Sequence, residues 1–355
     1  MIKYLGSKRI LIPAIESIVG QLPDCHSVID LFSGTARVGK ALKASGWQVF
    51  CNDWNLYAQT LATSHVVFDD DRLEEAMELL NHLRNIHPVD GWFTDTYCRQ
   101  SRYFTPENGA RIEGIRDEIA KLELDLELKN VALTSLMEAA DRVDSTVGVQ
   151  MAYLKKWANR ALQPMQLRDP EPLPRSRHGK AEAHRLEARE AAATLKADVA
   201  YLDPPYNQHK YLGNYHVWET LVKWDQPEVY GVACKRVECR ERRSDFNSKR
   251  GIQQAMQELV STLQCRYLLV SFNNEGYLDR QEMEQLLSER GVVTVLSKNH
   301  PRYVGAKIGI HNPQGRKVGK VSHLKNTEYL FLVGDVKLDD EVLESAELSR
   351  ELPVL

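Results

Sequence analysis

Six short apolar segments, each bounded by turn residues, constrain the fold of this chain more than any other feature. They are 26–32 (HSVIDLF), 47–52 (WQVFCN), 198–202 (DVAYL), 266–272 (RYLLVSF), 292–296 (VVTVL) and 328–333 (EYLFLV). They are rich in β-branched and aromatic residues and show little polar alternation, which predicts strands buried on both faces. Helical patterns separate most of them, such as 37–45 after the first. This alternation predicts an α/β fold built on a doubly wound, mostly parallel sheet. A length of 355 residues accommodates one large domain or two ordinary ones.

The alternation is interrupted between residues 60 and 195. Thr105-Pro106 reads as an N-cap followed by proline at the first helical position. Ile112, Ile115, Ile119 and Leu122 then recur at helical spacing, as do Leu133, Leu136, Met137, Ala140 and Val143. Between these helices KLELDLEL (121–128) alternates strictly, but its helical flanks argue against a strand. The proline-rich, charged stretch 168–180 reads as a surface linker.

Composition excludes several classes. No apolar run approaches the roughly 18–20 residues of a membrane span. The polar start MIKYLGSKR is unlike a signal peptide, which predicts a cytoplasmic protein. Six cysteines form no CxxC pair, so neither structural zinc nor a disulfide framework is expected. The 46 Lys+Arg and 49 Asp+Glu give a net charge of −3, which taken alone argues against a nucleic-acid partner.

Three motifs carry chemistry. Asp30-Leu-Phe-Ser-Gly-Thr-Ala-Arg-Val-Gly39 runs from a strand end into a helix, where Gly34 permits a tight turn and Asp30 can accept a bond from an ammonium group. Such a turn serves dinucleotide, nucleotide and methyl-donor sites alike. Asp53 ends the next strand and suits the vicinal hydroxyls of a ribose, although an Asp there can equally cap a helix. The third motif, Asp203-Pro204-Pro205-Tyr206, follows DVAYL directly. Its prolines stiffen the backbone and fix the directions of its neighbours. The Asp203 carboxylate and Pro204 carbonyl can together accept both hydrogens of an exocyclic amine, freeing its lone pair. Tyr206 offers a face for an extruded base, worth about 1–3 kcal/mol.

With these motifs the sequence resembles the S-adenosylmethionine-dependent DNA adenine-N6 methyltransferases, in particular those serving type IIS restriction–modification systems. The resemblance spans residues 1–334 through KYLGSKRIL, DLFSGTARVG, CNDWN, LMEAADRVDSTVGVQMAYLKKW, YLDPPYNQHKYLGNYHVWETLV, SFNNEG and NTEYLFLVG. It implies a seven-stranded methyltransferase sheet. Tyr4, Gly6, Lys8, Asp30, Phe32, Gly34, Asp53 and Asp203 should border S-adenosylmethionine, and Asp203, Pro204, Pro205 and Tyr206 should form the catalytic motif. One departure is Ala36, where the family's cofactor turn carries a second glycine.

A base inside duplex DNA requires positive charge. Residues 235–250 carry seven basic and three acidic residues, which makes Arg242, Arg243 and Lys249 candidate DNA contacts. Residues 298–325 carry seven basic residues and no acid. Within them 308–318 reads as a hairpin around Asn312-Pro313-Gln314-Gly315, presenting Arg316 and Lys317 to phosphates or bases. Arg99, Arg102, Lys155, Lys156 and Arg160 are further candidates.

The expected layout is a catalytic domain from 1–60 and 196–334, a helical target-recognition insert over 61–195 and an acidic tail over 335–355, solubilising or loosely docked. The expected partners are double-stranded DNA and a cognate restriction endonuclease, with a monomer or weak dimer, no membrane and no metal. No Pro-Cys dipeptide suggests C5-cytosine chemistry. An exocyclic amine in RNA, cytosine N4, and a non-catalytic DNA-binding relative remain alternatives. A dehydrogenase would need a full GxGxxG and would leave Asp203-Pro204-Pro205-Tyr206 without a role.

Overall fold

The computed structural model describes residues 1–208, 210–301 and 325–352. Its centre is an eight-stranded sheet. In chain order the strands are β1 (Ser27–Asp30), β2 (Gln48–Asn52), β3 (Glu182–His184), β4 (Val199–Leu202), β7 (Tyr267–Asn273), β8 (Val293–Pro301), β9 (Lys325–Val333) and β10 (Ser349–Arg350), while β5 (Val229–Tyr230) and β6 (Lys235–Arg236) form a separate ribbon. The spatial order is β10-β8-β9-β7-β4-β1-β2-β3. From β3 to β7 neighbours are parallel, whereas β9 runs antiparallel between β7 and β8. Each of the six apolar segments became a strand. The eighth strand, beyond the seven expected, is the two-residue edge β10.

The apolar segments are buried because helices cover both faces. On one side, helices Ile12–Val19, Arg37–Ala44 and Asp340–Ser345 pack against Val28, Val49, Tyr201 and Leu269. On the other, helices Ala188–Thr194, Ile252–Thr262 and Arg280–Ser288 cover Ile29, Ala200, Leu268 and Val270. All four β4 residues are buried, and each fully buried Val or Leu contributes about 1.5–3 kcal/mol.

The helical region builds its own core. Helices Pro106–Lys121 and Leu126–Arg142 pack with Leu56–Ala62 and His216–Lys223 around Phe93, Tyr97, Phe104, Met137 and Trp218. Thr105 caps the first of these, accepting from Asn108 N at 3.3 Å, with Pro106 at its start. Packing draws this unit differently from the expected 61–195 insert. It takes in helices on both flanks, while β3 leaves the interval to pair with β2. KLELDLEL is neither strand nor continuous helix. It breaks at Leu122, and Asp125 caps the next helix through Leu128 N at 3.0 Å.

The acidic tail is docked rather than loose. Leu338, Leu343, Ala346 and Leu348 are buried against the sheet, and β10 pairs with β8. No cysteine is bridged, and five of the six are buried. Among the described residues no helix is long and apolar enough to cross a membrane.

Candidate active site

The site lies at the carboxyl ends of β1, β2 and β4, where an open parallel sheet leaves a crevice. After Asp30 the chain turns sharply into helix Arg37–Ala44. The turn is held by Ser33 N on Asn52 O (2.9 Å) and Gly34 N on Asp53 Oδ2 (3.1 Å). Gly34 has φ +51°, and a side chain there would meet the Tyr4 ring at 3.0 Å. Ala36 adopts φ 58° and is fully buried, so the left-handed conformation that glycine favours is taken by an alanine, at about 1 kcal/mol of strain. Gly39 serves packing, because a Cβ there would lie 2.8 Å from Cys51 Sγ.

Asp30 sits under the turn instead of facing the crevice. It is 2% exposed and its Oδ2 accepts Gly39 N at 3.1 Å. Burial pushes its carboxyl up to about 7, against the Gly39 bond and with help from Asp203 and Asp53. Asp53 does face the crevice, accepting from Gly34 N, Asn55 N and Asn55 Nδ2. Burial raises it, while those donors and Arg242 hold it down. Asn52 ties β1 to the chain after β3, since Nδ2 donates to the carbonyls of Leu31 and Leu186 and Oδ1 accepts Leu186 N.

The N-terminal segment is fixed by a tyrosine stack. The Tyr4 ring packs nearly parallel to Tyr211 (5.3 Å, 17°) and Tyr215 (4.7 Å, 14°), and the Tyr215 hydroxyl accepts Leu5 N at 2.6 Å. Gly6 (φ +72°) passes the Tyr211 hydroxyl so closely that a Cβ would stand 3.0 Å from it. Lys8 is buried with its ammonium 3.1 Å from Asp203 Oδ1 and 3.2 Å from Glu328 Oε2. Burial pushes the Asp203 carboxyl up to about 6, with Glu328 adding to the rise and Lys8 opposing it. Burial alone would lower Lys8, yet the two carboxylates hold its ammonium well above the ordinary value. Pro204 is buried, and the Tyr206 carbonyl accepts Tyr277 N at 2.9 Å while its ring meets the edge of Phe272 at 5.5 Å.

The crevice encloses about 900 Å³ with its open mouth included. Of the expected residues Tyr4, Gly6, Phe32, Gly34, Asp53, Asp203 and Pro205 line it. Lys8 stands behind Asp203, and Asp30, Pro204 and Tyr206 do not form its wall. Trp54, Leu186 and Phe246, which the motif reading missed, supply its apolar surface.

Segment 235–250 departs most from expectation. Arg236 is buried and forked onto Asp225 (2.7 Å twice), with Glu238 at 3.1 Å. Arg240 lies 3.6 Å over the Tyr230 ring. Arg242 lies 4.0 Å over Trp54 and bonds Asn55 Oδ1 (3.2 Å) and the Trp54 carbonyl, so it and Arg243 line the crevice. Arg240 and Arg243 are exposed, as is Lys249 beyond Phe246, whose ring meets Phe32 edge-on at 5.3 Å. In the helical region Arg99 pairs with Asp90 and Arg160 with Asp144, while Arg102 stacks over Trp157. Lys155 and Lys156 are exposed. The hairpin expected over 308–318, with Arg316 and Lys317, lies outside the described residues.

Comparison with known proteins gives this geometry its context. A family described as D12 class N6 adenine-specific DNA methyltransferases matches residues 4–286. The chain is 27% identical over 334 residues to the type II methyltransferase M.NlaIII of Neisseria lactamica, covering 90% of this chain and 98% of that enzyme. It is 29% identical over 312 residues to M.CviAII of Paramecium bursaria Chlorella virus 1, covering 85% and 92% respectively. With M.FokI of Planomicrobium okeanokoites it shares 29% over 309 residues, 82% of this chain but 47% of that larger enzyme. The chain belongs to the D12 class of N6-adenine-specific DNA methyltransferases.

Proposed function

We propose that the crevice binds S-adenosylmethionine and that Asp203-Pro204-Pro205-Tyr206 receives an adenine flipped out of double-stranded DNA. The observation that carries this reading is a buried carboxylate, Asp203, already paired with a nitrogen donor at 3.1 Å and lining the same crevice as Asp53 and Gly34. The donor set fits the cofactor. Asp53 retains lone pairs for ribose hydroxyls, Phe32, Trp54, Leu186 and Phe246 offer apolar surface to a purine, and Asp203 matches a positive centre. The cofactor, when bound, supplies an electrophilic methyl group.

The remaining chemistry belongs to the chain. Asp203 and the Pro204 carbonyl accept the two hydrogens of N6, which favours a pyramidal nitrogen with an available lone pair. Tyr206 supplies the stacking face. Arg242, folded over Trp54, closes the cofactor side rather than touching DNA. Arg243, Lys249 and the segment bearing Arg316 and Lys317 supply phosphate contacts. The protein acts in the cytoplasm, as a monomer or weak dimer, as the modification partner of a restriction endonuclease that reads the same sequence.

Methylation-sensitive sequencing of DNA from cells expressing this chain tests the reading. N6-methyladenine confined to one sequence context is the expected result. Methylation at cytosine N4, or none, overturns it.

A further inference from the structure

One of the two carboxylate oxygens of Asp203 is already engaged in this structure. The Lys8 ammonium holds its Oδ1 at 3.1 Å and is held in turn by Glu328 Oε2 at 3.2 Å. The three side chains are only 7%, 20% and 12% exposed. They come from distant parts of the chain, the short turn Lys8–Ile10, the end of β4 and the antiparallel strand β9. Because β9 runs against its neighbours, its first half reaches the edge where the parallel strands end. There Glu328 is in register with Asn273 on β7 and Lys298 on β8. Lys298 sends its own ammonium to Ala346 O (3.0 Å) and Glu347 (3.1 Å), leaving Glu328 to Lys8.

This arrangement poses a competition. An ammonium is a stronger donor than a neutral aromatic amine, so Lys8 contends with the target amine for the Asp203 carboxylate and draws it toward itself through Oδ1. It cannot simply let go, because a buried charge without a partner is strongly unfavourable. A second carboxylate resolves the conflict. The ammonium carries three donors, and Glu328 is anchored in a ladder bonded on both sides, so it keeps its position while the Lys8–Asp203 contact opens.

We propose that Glu328 is a positioning residue for methyl transfer, which takes sole charge of the Lys8 ammonium and so releases the Asp203 carboxylate to the target amine. This inference rests on Asp203 being the acceptor of that amine. The groups facing Asp203 are Lys8 and Glu328, with Asp30, Tyr201, Tyr206 and Tyr211 further off. Lys8 is both its guard and its competitor.

The test uses the full chain and a duplex carrying its recognised sequence. In Glu328→Gln, KM for DNA should rise about tenfold while kcat changes less than about threefold. The acid limb of kcat/KM should also move to lower pH, because Asp203 loses the neighbour that raises it, a shift that a purely structural role of Glu328 does not produce. With 2-aminopurine at the target position and no cofactor present, the fluorescence gain on binding should fall. Glu328→Asp should recover part of each effect. In a Lys8→Met background Glu328→Gln should add no further rise in KM, since the competition for the Asp203 carboxylate requires the Lys8 ammonium. That double variant decides even if Glu328→Gln is less stable, because a folding defect persists without Lys8. An unchanged KM in Glu328→Gln, or an equal rise in the Lys8→Met background, overturns the proposal. Methyl transfer retained by Asp203→Ala would instead break the reading beneath it.

Discussion

The strand-edge motifs and the basic segment 235–250 were equally conspicuous in the sequence, and the fold treats them in opposite ways. Gly34, Asp53 and Asp203 emerge at the ends of three adjacent parallel strands and converge on one crevice. The basic segment scatters its charges. Arg236 is spent on Asp225 and Glu238, Arg240 on Tyr230 and Arg242 on Trp54. A strand end fixes both the position and the direction of the next side chain, whereas a long cationic side chain can fold back onto any aromatic or carboxylate within reach. Local charge is therefore a poor guide to a surface unless the partners of each charge are known.

Five variants sharpen that contrast. Asp203→Ala should lower methyl transfer about 10³-fold while preserving cofactor binding, measured by radiolabelled methyl incorporation beside calorimetry with S-adenosylmethionine. Arg236→Ala should destabilise the protein by about 2–3 kcal/mol in chemical denaturation, because Asp225 and Glu238 lose a buried partner but stay partly hydrated. Lys249→Ala should change stability by less than about 0.5 kcal/mol. Arg242→Ala should weaken S-adenosylmethionine binding about tenfold and leave the salt dependence of DNA binding unchanged. Replacing Arg243 and Lys249 together should instead reduce that log–log salt slope by about 2. A steep loss of slope in Arg242→Ala would return that residue to the DNA surface.

A pH-dependent effect is expected at Asp30. Its carboxyl is raised from 3.8 to about 7 by burial, so the stability it contributes is complete below pH 3.8 and is lost as pH rises through about 7. Asp30→Asn should therefore be about 1–2 kcal/mol more stable than the parent at pH 8. In thermal melts the gap should narrow toward pH 4.

How much was legible follows the same division. The six apolar segments and the turn at Gly34 were readable because burial and backbone geometry leave a local imprint. β3 was not, since Glu-Ala-His carries no apolar run and owes its pairing to β2 and to the Asn52 clamp at its exit. KLELDLEL showed a strand's alternation, yet Asp125 turned it into the start of a helix. Glu328 looked like the polar border of an apolar strand. Only the antiparallel insertion of β9 between β7 and β8 carries it to Lys8, the partner of Asp203.

The docked tail has a consequence of another kind. By laying β10 along β8 the chain covers part of one flank of its sheet with its own backbone. Arg280 and Ser297 fasten Glu351, and Arg350 fastens Asp340. An open flank is a template on which a second molecule can add a strand. By pairing with Ser297 and Leu296 of β8, the same acidic segment leaves less of that edge open to such an addition.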